Sequence, residues 1–184
     1  MQKTDLSPAI PVIIGGNIAV IPTDTIYGVV AQATNPSAVQ KIYNVKQRDP
    51  AKPFIILISE VDDLKLFGIN PNKTVTDLLN SYWPGPVSII LDCPNPQLEY
   101  LHRGTNSLAF RLPQNESIRK LIKATGPLAA PSANPEGLPP ATNISEAKAY
   151  FGDSVDCYIE GDVNAKPSKI IRISSDGKEE ILRA

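Results

Sequence analysis

Short apolar runs alternate with polar, proline-punctuated stretches along the whole chain, and their two periods predict strands interleaved with helices. Ile18–Ile21 is an apolar run stopped by Pro22, as in a buried strand. Asn35-Pro36 then opens a helix, because Asn caps the free N–H groups and Pro is preset for the first helical position. Val39, Ile42 and Tyr43 share one face of it, and it ends near Lys46–Arg48, before Asp49-Pro50. Phe54–Ile58, Val87–Leu91 and Leu108–Leu112 read as strands. Val61–Leu66 and Val75–Tyr82 read as helices, as does a segment with Ile118, Leu121 and Ile122 that Asn115 caps. Leu128–Ala130 is a short strand, and Asn143 with Glu146 forms a capping box for a helix reaching Phe151. Asp156–Ile159, Ile170–Ile173 and Glu180–Leu182 complete the strands, and residues 1–10 are a loose lead or a short helix. Irregular alternation of this kind predicts an α/β fold with a mixed, twisted open sheet flanked by helices.

A length of 184 residues suits one domain with its own core. No internal repeat or linker divides it, so residues 1–184 are expected to form a single domain with a core over about 8–173. The 18 prolines place many rigid connections in the loops. A formal charge of −1 leaves no global basic field, so an anionic ligand must be met by a local cluster of Lys and Arg. Cys93, Cys157 and the lone His102 have no metal-ligand spacing, and no metal site is expected from them. No signal peptide or membrane-spanning run is visible, which points to a cytoplasmic protein and leaves the sequons at Asn115 and Asn143 without meaning.

Among possible sites, Gly68 to Thr74 only loosely resembles a phosphate loop, since it lacks the second Gly before Lys73. Pro22 to Gly28 is richer. Thr23, Thr25 and Tyr27 can offer short hydrogen bonds at a strand end, and Gly28 lets backbone approach closely. Lys46, Arg48 and Lys52 converge at a helix end, just before a strand. Such a cluster neutralises a triphosphate, and it equally complements a helix C-terminal dipole. Lys46 and Arg48 would point apart on a helix, but an unwound end aims both at one anion. Ser88 follows the Trp83-Pro-Gly-Pro turn. Arg111 ends an apolar strand, so it is either ion-paired or waiting for a carboxylate or phosphate. Ser132 and Asn134 open a long proline-rich loop. Ser168, between Lys166 and Lys169, precedes a late strand.

These segments, in this order, resemble the threonylcarbamoyl-AMP synthase family with its YrdC-like domain. The similarity runs over roughly residues 8–173, and its most specific parts are Lys46-x-Arg48 and Ser132-x-Asn134. The resemblance implies a twisted α/β sheet with a concave, positively charged ligand face. It implies condensation of L-threonine, bicarbonate and ATP to threonylcarbamoyl-AMP and pyrophosphate. That product serves modification of adenosine-37 in tRNA, through separate threonylcarbamoyl-transfer proteins and with possible tRNA contact. Carried over by position, Lys46 and Arg48 are catalytic and grip ATP with Lys52, Ser88, Ser132 and Asn134. Thr25, Arg111 and Ser168 hold threonine, and Mg²⁺ shares the triphosphate charge.

The sequence departs from the family at Ser88, where Thr is common, and at Lys169, where many longer relatives have Thr. Phe54–Ile58 also lacks the His that some relatives carry there. Two other readings stay open: a YrdC-like enzyme acting on another carbamoyl group or amino acid, and an RNA-binding module of the same fold. The second would need a broad basic surface.

Overall fold

The structure, a computed structural model, describes residues 4–164 and 166–184; the first three residues of the N-terminal lead lie outside it. Its elements in chain order are α1 (Ala9–Ile14), β1 (Ala19–Ile21), β2 (Gly28–Gln32), α2 (Pro36–Lys46), β3 (Ile55–Leu57), a 3₁₀ helix (Val61–Phe67) and α3 (Lys73–Tyr82). β4 (Val87–Asp92), α4 (Glu99–His102), β5 (Ser107–Arg111), α5 (Glu116–Thr125) and β6 (Leu128–Ala129) follow. The chain closes with α6 (Ile144–Phe151), β7 (Cys157–Tyr158), β8 (Lys169–Ile173) and β9 (Glu179–Arg183).

The helix starts are set by side chains. Asn35, Asn115 and Asn143 each accept from a backbone N–H of the first turn, and Asn72 does the same for α3. β2 and the short α4 are elements the apolar pattern does not reveal. Gly28–Ala31 is buried at every position, so no polar alternation marks it. Val61–Phe67 forms a 3₁₀ rather than an α-helix, with Asp63 bonded back to the backbone N–H groups of Ser59 and Glu60.

All nine described strands form one sheet in the order β7-β1-β2-β6-β3-β5-β4-β8-β9. β1–β7, β3–β5 and β4–β8 are parallel, and the other neighbours are antiparallel, so the sheet is mixed as expected. Period-2 alternation sorts the side chains between its faces. Val20, Val29, Ala31, Ile56, Phe110, Ile89 and Ile171 join the larger core with α2, Phe67 and Leu79. Ala19, Ile21, Val30, Leu57 and Leu128 pack on the other face against Ile13 of α1 and Ile118, Leu121 and Ile122 of α5.

α1 and α5 pack on each other and cover only part of this second face. The remaining part, over β3, β5, β4 and β8, forms a cavity floor. Every second residue of β5 faces it: Ser107, Ala109 and Arg111, whereas Leu108 and Phe110 enter the core. This placement explains a charged residue in an otherwise apolar strand. Arg111 ends the row that faces the hollow.

Candidate active site

The cavity has a volume of about 570 Å³. Four arginines, Arg48, Arg111, Arg172 and Arg183, contribute to its lining, and no carboxylate residue does. Hydroxyls come from Thr23, Thr25, Thr105, Ser107, Ser132 and Ser168, and apolar surface from Phe54, Ile55, Ile90 and Ile170. Five of the nine residues given a ligand role by the resemblance therefore meet at one hollow, Thr25, Arg48, Arg111, Ser132 and Ser168, together with Thr23, Tyr27 and Gly28 of the same hydroxyl-rich turn. Lys46, Lys52, Ser88 and Asn134 stand behind or beside it.

At one side the turn after β1 wraps around Arg111. Thr23 Oγ1 accepts from the N–H groups of Thr25 and Ile26, at 3.2 Å each, and donates to the Ile26 carbonyl at 2.6 Å. The turn is thereby locked through its own side chain. Arg111 Nη1 donates to Thr25 Oγ1 at 2.7 Å, and Nη2 lies 3.1 Å from Asp24 Oδ1. Arg111 is 5% exposed, and its Nε is buried without a hydrogen-bond partner among the described residues. The Asp24 oxygen facing it also lacks hydrogen-bond alignment, so this is an ion pair by proximity. Burial lowers the arginine's proton affinity, and Asp24 opposes that effect. Tyr27 presents its ring to the cavity, but its hydroxyl is engaged, donating to the Gly161 carbonyl at 2.6 Å.

Another part of the rim is made where α2 ends. Gln47 adopts a left-handed conformation with φ of 49°, which turns the chain sharply after Lys46. The turn sends Lys46 and Arg48 to different places. Arg48 reaches the cavity, with Nε donating to the Lys52 carbonyl at 3.3 Å and Nη2 lying 3.5 Å from the Pro53 carbonyl. Lys46 is 1% exposed. Its ammonium donates to the carbonyl of Ser132 at 2.5 Å and also to the carbonyl of Asn134. The two cations thus do not aim at one point here, because main-chain oxygens arriving from 86 residues away capture Lys46. Burial first, then the charge of Arg48, lowers the Lys46 pKa to about 7, against the opposing pull of Glu136.

The loop after β6 is clasped to this rim. Glu136 N–H donates to the Lys46 carbonyl at 2.8 Å, and its carboxylate accepts from Asp49 N–H at 2.6 Å and from Lys52 Nζ. Ser132 Oγ donates to Asn134 Oδ1 at 2.6 Å, and Asn134 Nδ2 donates to the Pro135 and Leu138 carbonyls. Asn134 therefore shapes the loop, and Ser132 is the member that meets the cavity. At the far edge Ser88 is fully buried and shares a 2.9 Å hydrogen bond with Ser168. Arg183 of β9 donates twice to the Ser168 carbonyl, at 3.0 and 2.6 Å.

Asp24, Arg172 and Arg183 escaped the sequence reading. Arg172 carries the same signal as Arg111, a charge in an apolar alternating strand, and lies opposite Ile90 in register. Asp24 stands between two threonines already singled out. Arg183 has no local signal, since β9 is exposed along its length. No group of three His, Cys, Asp or Glu side chains converges among the described residues.

The class the geometry defines is a mixed α/β sheet with one partly uncovered face, on which a hollow of small-molecule size gathers four arginines and a row of hydroxyls. The particular family follows from comparison: the chain belongs to the Sua5_yciO_yrdC family, described as telomere recombination, whose profile matches residues 12–184. A threonylcarbamoyl-AMP synthase of Marinobacter nauticus is 34% identical over 166 residues, 88% of this chain and 87% of that protein. One from Bacillus subtilis is 35% identical over 156 residues, 83% of this chain but 44% of that protein. The crystal structure of Pyrococcus abyssi Sua5 complexed with L-threonine superposes with a TM-score of 0.82 at 29% identity, covering 90% of this chain and 50% of that one. The chain thus spans most of the first relative and half or less of the other two.

Proposed function

We propose that this chain is an L-threonylcarbamoyladenylate synthase, acting through residues 1–184 as one YrdC-like domain in the cytoplasm. The observation that carries this reading is the single cavity that Arg111, Thr25, Arg48 and Ser132 all line. The threonine carboxylate meets Arg111, whose Nε has a donor to spare, and Thr25 and Ser168 flank the amino acid. Arg48 takes phosphate oxygens, with Ser132 beside it. Lys46 joins by turning its ammonium from the Ser132 and Asn134 carbonyls toward the triphosphate, and Lys52 by leaving Glu136. Asn134 shapes the loop that carries Ser132, and Ser88, which the resemblance assigns to ATP, supports Ser168 through their shared hydrogen bond.

The threonine amine attacks the carbon of CO₂, forming an N–C bond and losing a proton; from bicarbonate the same carbamate forms as a C–O bond breaks and the hydroxyl leaves with that proton as water. The resulting carbamate oxygen attacks the α-phosphorus of ATP, and the α–β bridging bond breaks as pyrophosphate leaves. The substrate is its own nucleophile, so the protein's contribution is alignment and neutralisation of charge on the phosphate oxygens. Mg²⁺ would accompany ATP and share the triphosphate charge; among the described residues no three His, Cys, Asp or Glu side chains converge to add a cage of their own. Threonylcarbamoyl-AMP would pass to separate transfer proteins that modify adenosine-37 of tRNA.

Purified protein incubated with ATP should release pyrophosphate only when both L-threonine and bicarbonate are present. Equal release with another amino acid would move the assignment to a related enzyme of this family. Salt-sensitive RNA retention without any release would move it to an RNA-binding module.

A further inference from the structure

We infer that Tyr43 and Arg103 are positioning residues for Arg48, acting through a stack of rings that runs from the end of α4 to the cavity edge. The inference rests on the reading of Arg48 as a phosphate ligand.

The stack has four members. Arg103 places its guanidinium carbon 4.1 Å from the centre of the Tyr43 ring. Tyr43 stacks on Phe54 with ring centres 4.0 Å apart and planes 26° from parallel. Two groups this close to one ring centre must occupy its opposite faces, so Tyr43 is sandwiched. Arg48 then lies 5.4 Å from the centre of the Phe54 ring, and both Phe54 and Arg48 line the cavity. Cations attract aromatic faces, so each end of the column is held by the same force.

A second link runs in parallel. Tyr43 donates its hydroxyl to the Lys52 carbonyl at 3.0 Å, and that same oxygen accepts from Arg48 Nε at 3.3 Å. The carbonyls hold Arg48 at 3.3 and 3.5 Å, long for hydrogen bonds, so its direction depends on where Tyr43 and Phe54 fix the loop. Tyr43 therefore controls Arg48 twice, through the ring beneath it and through the oxygen beside it.

Arg103 supplies a cost that packing alone does not explain. Its Nε is buried with no hydrogen-bond partner among the described residues. An aliphatic side chain would cover Tyr43 without that penalty. What a guanidinium adds is attraction to the ring, which holds Tyr43 flat against Phe54.

The test compares Tyr43→Phe, Tyr43→Leu and Arg103→Met in the full chain, each checked for cooperative unfolding. The readouts are the Kd for ATP, the Kd for inorganic triphosphate, the KM for L-threonine, and the Arg48 Nε–Hε resonance. Tyr43→Phe and Arg103→Met should each weaken ATP and triphosphate about threefold, and Tyr43→Leu about tenfold, the range spanned by one to two such contacts. The threonine KM should stay within about twofold, because Arg111 lies outside the column. The Arg48 resonance should shift and broaden in all three. If folded Tyr43→Phe and Arg103→Met keep wild-type phosphate affinity and an unmoved Arg48 resonance, the inference is wrong. Equal losses for ATP and threonine also overturn it, since general loosening would explain them. Failure of wild-type protein to release pyrophosphate would refute the synthase reading alone, because triphosphate binding and the resonance still report on the column.

Discussion

At the floor of the cavity Arg111 faces Asp24, whereas at the rim Lys46 and Arg48 rest on main-chain carbonyls. The floor leaves Arg111 Nε and Asp24 Oδ1 without hydrogen bonds while the rim engages the Lys46 ammonium, and the two leave different fields behind. An arginine opposed by a carboxylate makes a site close to neutral, suited to a zwitterion that brings both charges. Arg48, held by carbonyl dipoles, keeps its charge, which remains available to a polyanion, and Lys46 adds its own when it is protonated. One hollow can therefore sort two substrates, with the amino acid directed to the balanced side and the nucleotide tail to the unbalanced one.

The largest effect expected is at the floor. Arg111→Met leaves Asp24 Oδ1 buried without its ion partner, while Oδ2 still accepts from the Gln114 N–H, and should cost about 3 kcal/mol in urea unfolding, together with threonine-dependent turnover. Adding Asp24→Asn to that variant should restore most of the stability and none of the turnover. Recovery of both would show that Arg111 serves the fold alone.

At the rim the expected effect is a proton. Lys46 has a pKa of about 7 against an ordinary 10.5, so much of the population is neutral at and above that pH. A bound polyphosphate favours the ammonium and raises its pKa, so ATP binding takes up a proton. At pH 8 the uptake should approach about 0.9 per ATP for a pKa near 7. Calorimetry in buffers of different ionisation enthalpy measures it, and Lys46→Met should abolish it. The same shift has a consequence for stability. Between pH 7 and 10.5 the unfolded chain binds more protons, so this group's contribution to stability rises with pH across that window and is lowest below it.

The smallest effect concerns the clasp. Glu136 occupies Lys52 and the Asp49 N–H at the exposed edge of the rim. Glu136→Gln removes the competing charge and should tighten ATP by about twofold at low salt, fading as salt rises. Weaker ATP binding in that variant would mean that the clasp shapes the rim more than it competes for it.

The comparison also shows which parts of the molecule can be read without coordinates. Helices α2, α5 and α6 announce themselves through Asn35, Asn115 and Asn143, whose capping is local and whose apolar faces repeat with the helical period. Arg111 is conspicuous as a charge in an apolar strand, yet its partner Asp24 is 87 residues away and no pattern pairs them. β2 is silent because burial of Gly28–Ala31 on both faces erases alternation. Lys46 is the sharpest case. Its position beside Arg48 reads as a pair of phosphate ligands, but the left-handed Gln47 and the distant Ser132–Asn134 segment decide where its ammonium lies. Local periodicity carries the elements, and long-range hydrogen bonds carry the site.

The central claim is that threonine and ATP occupy one hollow at the same time. Transferred interligand NOEs in a ternary complex of the protein, L-threonine and a non-hydrolysable ATP analogue measure this directly. The account predicts cross-peaks between the threonine methyl group and the ribose protons, lost on Arg111→Met while the analogue stays bound. Saturable binding of both ligands with no interligand cross-peak and no effect of either on the affinity of the other would contradict it.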